Sequence, residues 1–512
     1  MVLYQFNWHL VPVPPSSQSR RMKSDQLRGA ARAVVDGEPT VSLSRAWAAA
    51  CVAMVGTFMA IMDVFIVLIA APAMQHDLHA TDAEIQFVLA GYQLTYAVTL
   101  VIGGRLGDLY GRKRIFRLGL AVFTVASLAC GLASDADLLI AARLIQGLGA
   151  ALLFPQVFSI IRVLVPQQHR HRIFGVLGAV IGLSTIAGQM LGGVLIDADL
   201  FGTSWRPVFW INVPIGLVTL VLAARLIPES RAPQVHRPDL TGAGVLTVAL
   251  LLLVVPLVAG RQAGWPAWSW YCLVGAAIVF AVFVVVERRI GRHGGAPLVE
   301  PALFGERPFI TGVSLVLVYY SGLNSFFLIL SLTLQDGLGL SPLDAGLVYA
   351  PQALMFLLSS LLAGHVASRS GRHLLLIGGL VTTVGFASTV VVALISGSHL
   401  SAWLILPTLL VQGMGEGLLQ TPLLNSILSR VRSDHIGLAS GVLSTAQQVG
   451  GALGVAAVGV LFFGSIGSTK AGATSTYAHS FGITTIYNTI AALAVSALVL
   501  ALPRRGRPED MP

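Results

Sequence analysis

Apolar runs of about twenty residues follow one another along almost the whole chain, the first near residues 47–72 and the last near 479–502, with short polar stretches between them. A helix rises about 1.5 Å per residue, so each run is long enough to cross the roughly 30 Å hydrocarbon core of a bilayer. Fourteen such runs can be counted. Membrane β-strands would instead show segments of about ten residues alternating apolar and polar. These runs are continuous Ala, Leu, Val and Gly, so the pattern predicts an all-α integral membrane protein of 14 transmembrane helices. Residues 1–45 read as an N-terminal tail without regular structure, 291–308 as a linker and 503–512 as a short C-terminal tail.

Composition points the same way. With 55% hydrophobic residues and a mean hydropathy of +0.79, polar side chains are too few to cover a soluble globule of 512 residues. The net charge of +9 raises the question of nucleic acid, and the position of the charges answers it. With the N-terminus in the cytoplasm, 28 of the 32 Lys and Arg fall on the cytoplasmic side. Arg206, Arg261 and Lys470 fall outside, and Arg143 lies within a helix. This is the positive-inside bias. It predicts a bacterial-type plasma membrane protein with both termini cytoplasmic, and it leaves no need for a nucleic-acid partner. Cys51, Cys130 and Cys272 lack metal-ligand spacing and read as small apolar core residues. The opening residues have no basic region before their apolar stretch, which VPVPP breaks, so no cleaved signal peptide is expected. Met22 is an alternative start.

A repeat underlies the hydropathy. Residues 103–114, GGRLGDLYGRKR, match 364–373, GHVASRSGRH, at an offset of 260, which aligns Gly104 with Gly364, Gly111 with Gly371 and Arg112 with Arg372. Gln146-Gly147 matches Gln412-Gly413 at 266, and the Gly188 and Gly192 pair matches Gly450 and Gly454 at 262. The matches pair helices 2, 4 and 5 with 10, 12 and 13 in the same orientation. They predict two parallel six-helix bundles, 46–230 and 309–502, separated by two further helices within 231–290. Parallel repeats about an axis normal to the membrane are a transporter plan with the substrate between the halves.

In GGRLGDLYGRKR, Gly111 supplies the sharp turn between helices 2 and 3, Asp108 has Arg112 within reach, and the basic residues anchor the loop at the cytoplasmic face. The stretch resembles the signature loop of the major facilitator superfamily, and fourteen helices narrow the resemblance to its drug:proton antiporter branch over residues 46–502. ARLIQGLGAALLFP in helix 4, IAGQMLGG in helix 5 and IMDVFIVLIAAP in helix 1 resemble that branch's motifs too. The resemblance implies a cytoplasmic latch formed by Asp108 and Arg112 with Gly104 and Gly111 as spacers. It also implies an antiporter glycine motif at Gly188, Gly192 and Gly193, and a proton gradient, with no cofactor, as the source of energy. Three departures stand out: Gln189 where proline is usual, Phe65 and Leu68 in place of Thr and Asn near Asp63, and Ser368 in place of the acid in the second loop.

Three ionisable groups lie well inside predicted helices: Asp63, Arg143 and Glu416. Each costs roughly 2.5–3.5 kcal/mol near the bilayer centre by insertion scales, so each should face the bundle interior and find a partner. Depth along the helices allows Asp63 to meet Arg143, with Gln146 one turn along the same face. Burial favours the protonated acid and an arginine favours the ionised one, so a movement that separates them switches proton affinity. A static buried ion pair is the plainer alternative. Glu416 reads as a cation-binding group, a second protonatable group or a hydrogen-bonding tie between helices. Gln412, Glu416 and Gln420 recur every four residues and form one polar stripe, read as a cavity wall. Tyr92, Gln93, Tyr319, Tyr320, Asn324, Phe327, Gln352, Gln447 and Gln448 are further candidates for a substrate cavity suited to flat or cationic molecules.

The expected function is proton-coupled export of small, mostly hydrophobic or cationic drugs by alternating access. A proton-coupled importer or facilitator of a metabolite on the same fold is the alternative, since fold does not set direction. The expected partners are that substrate, protons and lipid, with the chain acting as a monomer. No phosphate-binding G-x-x-x-x-G-K-[ST] loop appears, and no catalytic constellation at reactive spacing, so neither a nucleotide-driven pump nor an enzyme is expected.

Overall fold

The computed structural model describes residues 42–231, 239–260, 263–292, 305–428, 436–466 and 474–502; the two tails and most of the 291–308 linker lie outside them. Among the described residues every regular element is helical. In chain order the spans are α1 Leu43–Asp77, α2 Asp82–Tyr110, α3 Arg112–Gly131, α4 Ala136–Leu164 and α5 Gln167–Asp197. They continue with α6 Pro207–Leu226, α7 Leu240–Ala259, α8 Ala267–Arg292 and α9 Arg307–Leu332. The helix Pro342–Ser396 runs without a break and carries two spans, α10 Pro342–Ala363 and α11 Arg372–His399. Then come α12 Ala402–Leu428, α13 Ile436–Ile466 and α14 Thr474–Ala501. Thirteen of these pass as membrane spans individually, and α2, bent by 48° between Leu100 and Ile102, makes the fourteenth. The sequence predicts a loop over 364–373; the backbone there is helical instead, and the side chains of 364–371 lie outside the described residues.

The repeat read from sequence returns as geometry. In the first bundle α1 packs on α5, α2 on α4, α3 on α4 and on α6. In the second, α9 packs on α13, and α12 and α14 pack against the α10–α11 helix. Even the caps repeat. Thr81 accepts a hydrogen bond from the Glu84 amide at 3.3 Å to start α2, and Ser341 accepts one from the Asp344 amide at 3.1 Å to start α10. His79 and Gly339, 260 positions apart, turn the chain before these caps with φ of 50° and 68°.

The bundles meet along two seams, α2 with α13 and α5 with α10. The extra pair adds onto the first seam from outside: α7 touches α2 and α13, and α8 packs on α7. Only 11% of the apolar window of α8 is buried, and Tyr271, Val274 and Ile278 point outward. In a bilayer such side chains meet lipid, while the helices satisfy their own backbone polar groups. Cys130 is buried as expected, but Cys51 is exposed and Cys272 half-buried, because their positions face away from the bundle core.

Candidate functional site

At the centre of the first bundle four helices converge on Asp63 of α1. Arg143 of α4 donates from Nη1 to Asp63 Oδ2, and again to Gln146 Oε1 at 2.7 Å. Gln146 in turn donates from Nε2 to Asp63 Oδ1 and to Ser127 Oγ of α3, both at 2.7 Å. Asn212 of α6 adds a longer contact to Asp63 Oδ1 at 3.3 Å. Arg143 Nε is taken by the Val88 carbonyl at 3.1 Å, and its guanidinium lies 4.2 Å from the centre of the Tyr92 ring. Tyr92 is fixed by donating to the Ala60 carbonyl at 3.0 Å. Asp63 and Gln146 are 0% exposed and Arg143 is 1% exposed.

The sequence therefore places Asp63, Arg143 and Gln146 together correctly, at the spacing one helix turn allows. It does not single out Ser127 or Asn212, which are ordinary polar residues until the fold brings α3 and α6 against the pair. Both carboxylate oxygens are met by donors on α4, and Oδ1 takes a further contact from α6. The contacts of Asp63 thus depend on the relative placement of α1, α4 and α6.

The stretch 103–114 forms a second polar cluster. Asp108 accepts from Arg112 Nη2 at 2.8 Å and from Arg112 Nε at 3.2 Å. Gly111 turns the chain at φ 107°, where a side chain would also meet Glu229 2.5 Å away. Glu229, not anticipated from sequence, accepts from the Lys113 amide at 3.1 Å and lies 3.6 Å from Arg114 Nε. Lys113 Nζ reaches the Ala224 carbonyl at 2.7 Å, so the loop is pinned to the end of α6 within its own bundle. Gly104 has only ordinary contact with Pro155, at 3.5 Å. The close spacers are Gly103, against the Ala151 backbone, and Gly107, against Gln156, which corrects the expectation for Gly104.

Helix α5 bears its glycines on two contacts. A side chain at Gly188 would lie 2.7 Å from the Met62 carbonyl of α1, and one at Gly193 would lie 2.5 Å from the Pro342 carbonyl of α10. Gly192 faces Ile66 at 3.2 Å. Gly178 has nothing within 4 Å, and Gly182 only Phe356 at 3.6 Å. Gln189, in the place of a proline, leaves α5 unbroken and buries an Nε2 without a partner.

The polar stripe of α12 is dispersed among neighbours. Gln412 donates to Thr389 of α11 at 2.8 Å, Glu416 faces Gln352 of α10 at 3.3 Å, and Gln420 donates to Tyr320 of α9 at 2.9 Å. It ties α12 to α9, α10 and α11, and of the three residues Glu416 lines a pocket. Gln93 and Asn324 meet across the bundles at 3.4 Å and are buried in the seam. Tyr320, Gln420 and Gln448 remain half-buried.

The Major Facilitator Superfamily profile matches residues 53–455 and 313–510. The chain belongs to the Major Facilitator Superfamily. It is 40% identical to the probable actinorhodin transporter of Streptomyces coelicolor over 83% of this chain and 74% of that one. It is 33% identical to the tetracenomycin C resistance and export protein of Streptomyces glaucescens, over 83% of this chain and 77% of that one. The xylose transporter XylE from E. coli, solved in a partially occluded inward open conformation, shares the fold. Its TM-score is 0.58 at 15% identity, covering 88% of this chain and 98% of that one. This member of the superfamily is a multi-pass membrane transporter.

Proposed function

We propose that this protein is a proton-coupled antiporter that exports small, mostly hydrophobic or cationic drugs or antibiotics across the plasma membrane. Relatives named for transport or export of actinorhodin and tetracenomycin C support the direction and the substrate class. The observation that supports proton coupling is the buried Asp63, Arg143 and Gln146 node, an acid and a base that join α1 to α4 inside the bundle. A proton arriving at Asp63 releases Arg143, and the rearrangement that follows shifts the bundles; departure of the proton restores the pair.

The contacts between the bundles support a rocking motion. His76 of α1 meets Asp336 beside α9 at 3.2 Å, Gln335 donates to the Ile69 carbonyl at 3.0 Å, and Gly193 rests on Pro342. All lie at the end of the molecule opposite the Gly111 loop. With the basic loops in the cytoplasm, that end faces outside, so this conformation is closed to the exterior. The Asp108 and Arg112 pair stays within the first bundle here and serves as the latch when the cytoplasmic side closes.

Expression in an efflux-deficient bacterial host tests the reading. The native gene lowers accumulation of a panel of hydrophobic and cationic antibiotics, collapse of the proton gradient restores it, and Asp63→Asn behaves like the empty vector. Equal accumulation with and without the native gene across the panel would remove drug export from consideration.

A further inference from the structure

Inside the second bundle, α9, α11, α12 and α14 enclose a pocket whose centre has room for about one water molecule. Glu416, 3% exposed, lines it with Tyr319, Thr382 and Asn488. No Lys, Arg or His is among the residues lining the pocket. The polar residues near Glu416 are Tyr319 of α9, Thr382 of α11 and Asn488 of α14 in the pocket lining and Gln352 of α10 in contact with the carboxylate, of which only the tyrosine titrates. The amide of Gln352, at 3.3 and 3.4 Å, is the hydrogen-bond donor that reaches Glu416.

The repeat sharpens the contrast with the first bundle. At the offset of 266, Gln412 stands for Gln146 and each donates to a hydroxyl on the neighbouring helix, Thr389 or Ser127. At 260, Gln352 stands for Tyr92, and the backbone carbonyl of each lies against the matching glycine, Gly413 or Gly147. Leu409 stands for Arg143. The second bundle thus keeps the polar frame, has Leu409 at the position of the arginine, and places an acid one helical turn beyond the repeated glutamine. Three polar atoms around it have no partner: Gln352 Oε1, Asn488 Oδ1 and the Tyr319 hydroxyl.

An ionised carboxylate facing one neutral amide in an apolar bundle is costly, and protonation removes the cost. Protonation also turns Glu416 from a pure acceptor into a donor, for which Gln352 Oε1 is an acceptor once its amide rotates. The pocket, with room for about one water, is lined by Asn488 and Tyr319, whose Oδ1 and hydroxyl have no partner. We propose that Glu416 is a second proton site, occupied by a proton in this conformation and served by one water, complementary to the arginine-paired Asp63. Release gives a carboxylate and a proton to water admitted when the bundles move. The transport role rests on the antiport reading, whereas the existence of the site does not.

Infrared difference spectroscopy of the purified protein near neutral pH tests occupancy, with Glu416→Gln, Glu416→Asp and Asp63→Asn compared. The native protein and Asp63→Asn share a protonated-carboxyl band that Glu416→Gln lacks and Glu416→Asp displaces. Identical carboxyl bands in native and Glu416→Gln protein overturn the proposal, as does loss of the band when choline is exchanged for sodium, which marks a metal-cation site. If Glu416→Gln fails to fold, the displaced band in Glu416→Asp decides. In liposomes, Glu416→Gln moves about one proton fewer per drug molecule than the native protein; an unchanged ratio overturns the transport role. A native protein that shows the band but moves no protons refutes the antiport reading and leaves the site standing.

Discussion

Asp63 and Arg143 hold each other in place, and the energetics of that pair can be measured apart from transport. Asp63→Asn leaves a guanidinium buried without its counter-charge, and breaking a buried pair from one side costs about 3–5 kcal/mol. Removing both charges avoids that penalty. Asp63→Asn with Arg143→Gln therefore unfolds at a higher temperature than Asp63→Asn alone in detergent, although neither couples transport to protons. A double variant no more stable than the single one would show that Arg143 is held mainly by Val88 and Tyr92. At this scale the sequence was most informative about charge: an acid and a base in lipid demand partners, and equal depth on two helices selects this one. Ser127, Asn212 and Glu229 escaped notice because neutral or loop-end polar residues incur no such penalty until the packing is known.

Single helices are shaped here by where glycine is needed and where it is merely present. Gly188 and Gly178 lie on the same helix and look alike in sequence, yet the first faces the Met62 carbonyl and the second open space. Gly188→Val therefore forces α5 from α1, with a cost of about 1–3 kcal/mol typical of overpacking. Gly178→Ala stays within about 0.5 kcal/mol, the usual range for substitutions without neighbours. Thermal unfolding of the two purified variants checks the pair, and equal destabilisation contradicts the packing described. Helix positions were legible from length and hydropathy, since roughly twenty apolar residues in lipid have few alternatives. The continuous helix through 364–371 was not, because Gly371 and the charged residues near it read as a turn by analogy with Gly111. The glycine at 111 is held in its turn by Glu229 and Ser230 at the end of α6, contacts that hydropathy cannot show.

As a whole, the molecule is two bundles that touch most closely at the end away from the Gly111 loop. If they rock, fixing that end stops the cycle. His76→Cys with Asp336→Cys, in a background without the three native cysteines, is joined by a short thiol-reactive cross-linker with a cleavable disulfide, which abolishes drug transport, and reductive cleavage of the linker restores it. Transport that continues in the fully cross-linked protein excludes separation of α1 and α9 at this end. The two-bundle plan was visible as offsets of 260 to 266 residues between short motifs, because equivalent helices need the same glycines and caps. The seams between the bundles were not visible, since their contacts, such as Gln93 with Asn324, join positions with no sequence relation. The central claim is that drug export is driven by proton exchange at Asp63. Its most direct test is native protein in liposomes with an imposed pH gradient, followed for drug-triggered proton movement. Asp63→Asn, shown to be folded by its thermal unfolding, is run in parallel. The account predicts that a transported drug discharges the gradient through the native protein and leaves it intact with Asp63→Asn; drug movement without proton movement, or equal discharge by both proteins, would contradict it.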